Sequence, residues 1–183
     1  MERTKSRYII LGLSDGLFLG LGISLGISFF HSYNLTFASI LLVGVTGSLS
    51  NFFSTYNAEN FVMGLQIKEY GKVMFARDYN PHKITKMKKF KNLTYSEISF
   101  ISTLIGSFIV LLPYLAFFFI KLKQNFSASI ISLVISLIIL AYIGGYSIEN
   151  KKERIKEGVK TAGIGLMIAL VSAAIGILIN TFI

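Results

Sequence analysis

Residues 8–30 read YIILGLSDGLFLGLGISLGISFF, an apolar run interrupted by a single carboxylate, Asp15. A helix needs about 20 residues to cross a hydrocarbon core of about 30 Å, so the run is long enough to span a bilayer. Isolating a charge at that depth costs at least about 2.5 to 3.5 kcal/mol on insertion scales, which makes an intramembrane carboxylate a functional-site hypothesis by default. The segment follows a basic start, but the apolar run is too long for a signal-peptide core and lacks an A-x-A cleavage pattern. It is expected to be a retained helix.

The rest of the chain repeats the pattern. Hydrophobic residues make up 53% of 183 positions and the mean hydropathy is +0.65. Five windows are long and apolar enough to cross, at about 8–30, 35–57, 98–120, 126–148 and 161–182. The expectation is an all-α, polytopic integral membrane protein of one domain, 1–183, with five transmembrane helices and a helical, basic loop at about 58–93. That loop is expected to continue helix two, break at Asn80-Pro81 and become a lysine-rich strip. Thr94-Tyr-Ser-Glu97 reads as a capping box at the entry to span three.

The net charge of +9 is arranged by topology. Sixteen of the eighteen Lys and Arg residues precede span one or lie between spans two and three or four and five; only Lys121 and Lys123 fall on the other side. The positive-inside rule then puts the N-terminus in the cytoplasm and the C-terminus outside. The charge needs no nucleic-acid partner; the lipid bilayer is the expected one. No cysteine is present, so disulfides and thiolate chemistry are excluded. The chain has no H-E-x-x-H zinc motif, no nucleophile elbow is expected, and a lone deep carboxylate makes no aspartyl dyad, so no enzyme class is expected. His31, His82, Met63 and Met74 read as surface or packing residues.

At about 100° per residue, Gly12, Asp15, Gly16, Gly20, Gly22 and Gly26 share one side of span one. Overlapping G-x-x-x-G spacings permit close helix approach, so this face is expected to meet protein. In span two, Gly44, Gly47, Ser48, Asn51, Ser54, Thr55, Ala58 and Glu59 share an arc opposite Leu42, Val45, Leu49, Phe52 and Phe53. Two readings fit that stripe: the wall of a hydrophilic path, or interhelical hydrogen bonding.

Leu11-Gly-Leu-Ser-Asp-Gly-Leu17 with the glycine-rich sequence after it resembles the first helix of the vacuolar iron transporter family. Gly47-Ser-Leu-Ser-Asn51 through Tyr56, Leu111-Leu-Pro-Tyr114, Gly144-Gly145 and the segment 158–179 are similar to its later helices. The resemblance implies a five-helix subunit that forms a homodimer, with a path for divalent metal ions, ferrous or manganous, along the interface and protons as the exchanged species. It implies no permanently bound cofactor, a role for Asp15 in moving the ion, and Asn51, Ser54 and Glu59 as further oxygen donors. Where members of that family place a methionine, this chain has Asn51. Their acidic collecting domain corresponds here to a loop with eight cations, which repels divalent metal. The expected location is a prokaryotic plasma membrane.

Overall fold

The fold is described from a computed structural model. It describes the chain except residues 1, 31, 74–80, 121–123, 147, 149 and 183, and of residues 2, 3 and 67–89 it otherwise describes the backbone alone. His31, Met74, the side chain of His82, the break at Asn80-Pro81 and the side chains of the lysine strip up to Lys89 lie outside the described residues.

Five helices make up the described chain: α1 (Glu2–Ser28), α2 (Tyr33–Val73), α3 (Pro81–Phe119), α4 (Asn125–Gly145) and α5 (Lys151–Phe182). Each contains a segment long and apolar enough to cross a membrane, as lipid requires of a backbone that must satisfy its own hydrogen bonds. Three helices run well past the windows read from hydropathy: α2 continues to Val73, α3 begins at Pro81 and α5 at Lys151. The capping box is corrected by this extension. Thr94 lies inside α3 and its hydroxyl donates to the Phe90 carbonyl (3.2 Å), as an interior threonine does. A cap needs non-helical backbone, and the helix is already under way from Pro81, where a missing N–H costs nothing.

α1 is the central helix. Gly12, Gly16 and Gly20 lie against α3: a Cβ at Gly12 would fall 2.7 Å from the Ser102 Cβ, and one at Gly20 would fall 2.8 Å from Val110. Further along, Gly22 and Gly26 face Ser172 of α5. Leu17 and Leu21 pack with Val110 of α3 and Leu140 of α4. Because lipid tails are as apolar as leucine, no hydrophobic force drives helices together, and close packing and hydrogen bonds must. The interior agrees: Ser24, Ser48, Ser99, Thr103, Ser129 and Ser132 are as buried as Leu17 or Val110.

The half of the bundle away from the lysines is closed by Tyr114. Its hydroxyl bridges Ser24 (2.9 Å) and Ser129 (2.6 Å), and the Tyr33 hydroxyl donates to its carbonyl. Pro113, inside α3, removes one backbone donor, a defect membrane helices tolerate where neighbours supply polar partners. At the opposite, basic end Tyr8 of α1 stacks on Tyr95 of α3, with ring centroids 5.2 Å apart.

Candidate functional site

Asp15 is exposed on the surface of the bundle, in a stripe with Leu11 and Leu19 at four-residue spacing. Its Oδ2 accepts a hydrogen bond from Asn51 Nδ2 of α2 at 2.9 Å. The same nitrogen donates to Thr103 Oγ1 of α3 at 2.7 Å. The Thr103 hydroxyl gives its own proton to the Ser99 carbonyl (2.9 Å), so its oxygen can only accept from Asn51. Carboxylate and hydroxyl thus fix the amide the same way round, and both of its N–H bonds are used. The Asn51 carbonyl oxygen is left for another partner, and the amide ties α1, α2 and α3 together at one level.

The setting of Asp15 follows from what its neighbours touch. On a projection of about 100° per residue, Asp15 falls between Leu19, which meets α2, and Phe18 and Gly22, which meet α5. A Cβ at Gly47 would lie 2.6 Å from Leu19, and one at Gly165 would lie 3.6 Å from Phe18. Asp15 therefore stands on the floor of an open groove with α2 on one side and α5 on the other. The edge of α2 next to this floor carries Ser50, Ser54 and Asn57, all exposed. Its other open edge, toward α3, carries Leu42, Val45, Leu49 and Phe53. Polar and apolar edges are thus separated, with the polar one beside the carboxylate.

The structure brings Asp15 and Asn51 into contact and places Ser54 one turn along the same wall. Glu59 belongs to a different cluster, about 12 Å further along α2 at 1.5 Å per residue. It accepts a hydrogen bond from the Tyr8 hydroxyl. Next to it, Asn60 Oδ1 accepts from Asn92 Nδ2 (3.0 Å), which also faces the Met63 sulfur one turn on (3.9 Å). Among the described residues no three of His, Cys, Asp or Glu converge, at Asp15 or elsewhere. The polar stripe of α2 divides: Gly44, Ser48 and Thr55 are buried while Asn51 and Ser54 border the groove.

Sequence reading missed Thr103, Ser50, Asn57 and Tyr8. Ser50, Ser54 and Asn57 carry a signal, i, i+4, i+7 spacing. Thr103 and Tyr8 carry none, because their roles depend on which helices meet. Two Gly-x-Ser-x-Gly triplets, 12–16 and 22–26, do occur. Both lie inside α1, not at the strand-to-helix turn that exposes a nucleophile, and Ser24 is buried against Tyr114.

Two comparisons bear on this site. The model of the VIT family matches residues 57–177, most of the bundle but not the segment carrying Asp15 and Asn51. An uncharacterised protein of Methanocaldococcus jannaschii is 29% identical over 168 residues, 90% of this chain and 85% of its own length.

Proposed function

The chain belongs to the VIT family, and from that premise we propose that it is a membrane transporter of divalent metal ions, with Asp15 as the charged ligand of the transport path. Membership supports membrane metal-ion transport in general. The finer reading takes ferrous or manganous ion as substrate, a path along a homodimer interface, proton-coupled export from the cytoplasm and a prokaryotic plasma membrane. The observation that carries it is the exposed Asp15 carboxylate on a groove floor, with a hydrogen-bonded amide beside it whose carbonyl oxygen accepts no hydrogen bond among the described residues.

One Asp15 and one Asn51 cannot complete the six oxygen donors that hard divalent ions such as manganese favour. A two-fold axis along the groove supplies a second pair, giving two carboxylates and two amide oxygens, with Ser54 and water for the rest. Such a donor set, without sulfur, favours manganous over softer ions. Two carboxylates facing one another repel, and a divalent cation held between them relieves that repulsion. Protons are the proposed counter-ion of the exchange.

The test is flux in proteoliposomes loaded with ferrous, manganous or zinc ion, with and without an opposing pH gradient. Asp15→Asn retains size and hydrogen-bonding capacity but removes the charge; it is expected to abolish flux while the protein stays monodisperse. Unchanged flux would sink the assignment, and flux indifferent to the gradient would remove proton coupling alone. A second reading has an observation in its favour: the Asn51 amide is also an ordinary interhelical tie. On that reading the chain is a structural or regulatory membrane protein of the same fold, and Asp15→Asn leaves function intact.

A further inference from the structure

A groove of about 360 Å³ runs along the seam between α4 and α5 at the basic end of the bundle. Its length is walled by Ala141 and Tyr142 of α4 and by Ile155 and Val159 of α5, and its end is flanked by Lys151 and Arg154. The floor exists because α4 and α5 approach closely there: a Cβ at Gly145 would lie 2.7 Å from the Arg154 carbonyl oxygen. Tyr142 stands over the groove and holds the Arg154 guanidinium 5.9 Å from its ring centroid, a cation–π contact that keeps the charge at the seam.

The charge on this face is one-sided. On a helical projection of α5, Lys151, Arg154, Ile155, Gly158 and Val159 share one side, while Glu153 and Glu157 lie on the other. Glu157 is the partner of Lys160, and that is the one ion pair among the described residues. The level also fits a membrane surface. At 1.5 Å per residue, α5's 32 residues extend about 48 Å, against a hydrocarbon core of about 30 Å. The turns that carry Lys151 and Arg154 therefore project to headgroup level, with Val159 about 12 Å deeper along the axis. Exposed Tyr142 and Tyr146 at the end of α4 suit the interface.

We propose that this seam is a binding site for one anionic phospholipid, its phosphate between Lys151 and Arg154 and an acyl chain along Ala141, Ile155 and Val159. Cations at one end and apolar walls at the other match a lipid's two parts, and basic pockets between membrane helices are a recurring solution for such headgroups. A second copy of the chain is a poorer occupant. α4 packs on the side of α1 formed by Leu17, Leu21 and Ser24, roughly opposite Asp15 on the helix projection, so a dimer along the Asp15 groove leaves α4 uncovered.

The test is native mass spectrometry of the purified protein in detergent, titrated with phosphatidylglycerol or phosphatidylcholine. Phosphatidylglycerol is expected to be retained in preference. The double variant Lys151→Gln, Arg154→Gln is expected to weaken its retention by about thirtyfold, two juxtamembrane cations' worth. Lys152→Gln with Lys156→Gln, which removes the same charge from outside the groove, is expected to change it little. Val159→Trp fills the acyl track without touching charge and is expected to weaken retention of the lipid as well. Equal retention of both lipids overturns the proposal, as does equal loss in the two double variants, which would mean diffuse charge. Displacement by millimolar inorganic phosphate, or full retention by Val159→Trp, would mean an anion site without a lipid and also overturns it.

Discussion

Gly16 and Asp15 are adjacent on α1, and the seams they serve are built on opposite principles. Gly16 lies in the α1/α3 seam, where Gly106 approaches from the other helix to within a Cβ's 3.1 Å of the Gly16 Cα and the Ser107 hydroxyl donates to the Gly16 carbonyl at 3.3 Å. That seam is packed backbone on backbone. At Asp15 the α1/α2 contact is made by side chains alone and lies open to whatever covers the groove. The contrast shows how a membrane protein can hold a carboxylate at depth. The rigid α1/α3 seam fixes the helix, so the next position round can be left exposed and under-coordinated without loosening the bundle.

Four substitutions break or sharpen that contrast. Gly16→Leu drives a side chain into the Thr103 backbone, where no rotamer change can make room. It is expected to cost about 3 kcal/mol or more and to abolish recovery of monodisperse protein in gel filtration. Asn51→Leu acts on the open side. It removes two interhelical hydrogen bonds, each about 0.6 kcal/mol in membranes, so the melting temperature should fall only slightly. Metal flux should fall about 10–100-fold, the range seen when a ligand's orienting partner is removed. If melting and flux fall together, the two seams are not independent and the contrast fails.

Thr103→Val removes one acceptor from Asn51 and leaves the Asp15 bond. A stability loss near 0.6 kcal/mol and a smaller flux defect than that of Asn51→Leu are expected from thermal melts and liposome flux. Gly22→Ala is the mildest. Its Cβ would meet the Ser172 hydroxyl at 3.3 Å, which can rotate, and Ile168 Cγ2 at an ordinary 4.0 Å. A change within about 0.5 kcal/mol is expected in the same melts, which would mark the α1/α5 contact as looser at Gly22 than at Gly26, where a Cβ on Gly176 would lie 2.1 Å from the Gly26 carbonyl oxygen. A Gly22→Ala loss as large as that of Gly16→Leu would erase the distinction between these faces of α1.

Much of the fold was legible because hydropathy and length suffice to define membrane helices. The helix extensions were legible in part: the continuation of α2 was expected, whereas the early starts of α3 and α5 were not, because hydropathy stops at the edge of the apolar core. Thr94–Glu97 misled for the same reason, since a capping pattern inside a helix looks the same in one dimension as a cap. Asp15 and Asn51 were both singled out from sequence, but Thr103, which orients the amide, was not. It belongs to a ladder, Ser96, Ser99, Thr103 and Ser107, that reads as packing and so carried no signal of its role. Glu59 was grouped with Asp15 on the strength of a shared arc, and distance along the helix separates them.

The chain by itself determined that five helices are long and apolar enough to cross a membrane, which end of the bundle carries most of the lysines, and that span one holds a carboxylate beside glycines that must meet protein. These follow from composition and local periodicity, the only information a helix needs in lipid. The tertiary structure decided which partner each face received. Gly12, Gly16 and Gly20 went to α3, Gly22 and Gly26 to α5, and Asp15 to an open groove against Asn51. No periodicity encodes that choice, because every small-residue face is equally able to pack. It is settled by the mutual fit of all the helices, in which hydroxyl ladders and glycine approaches must be satisfied together.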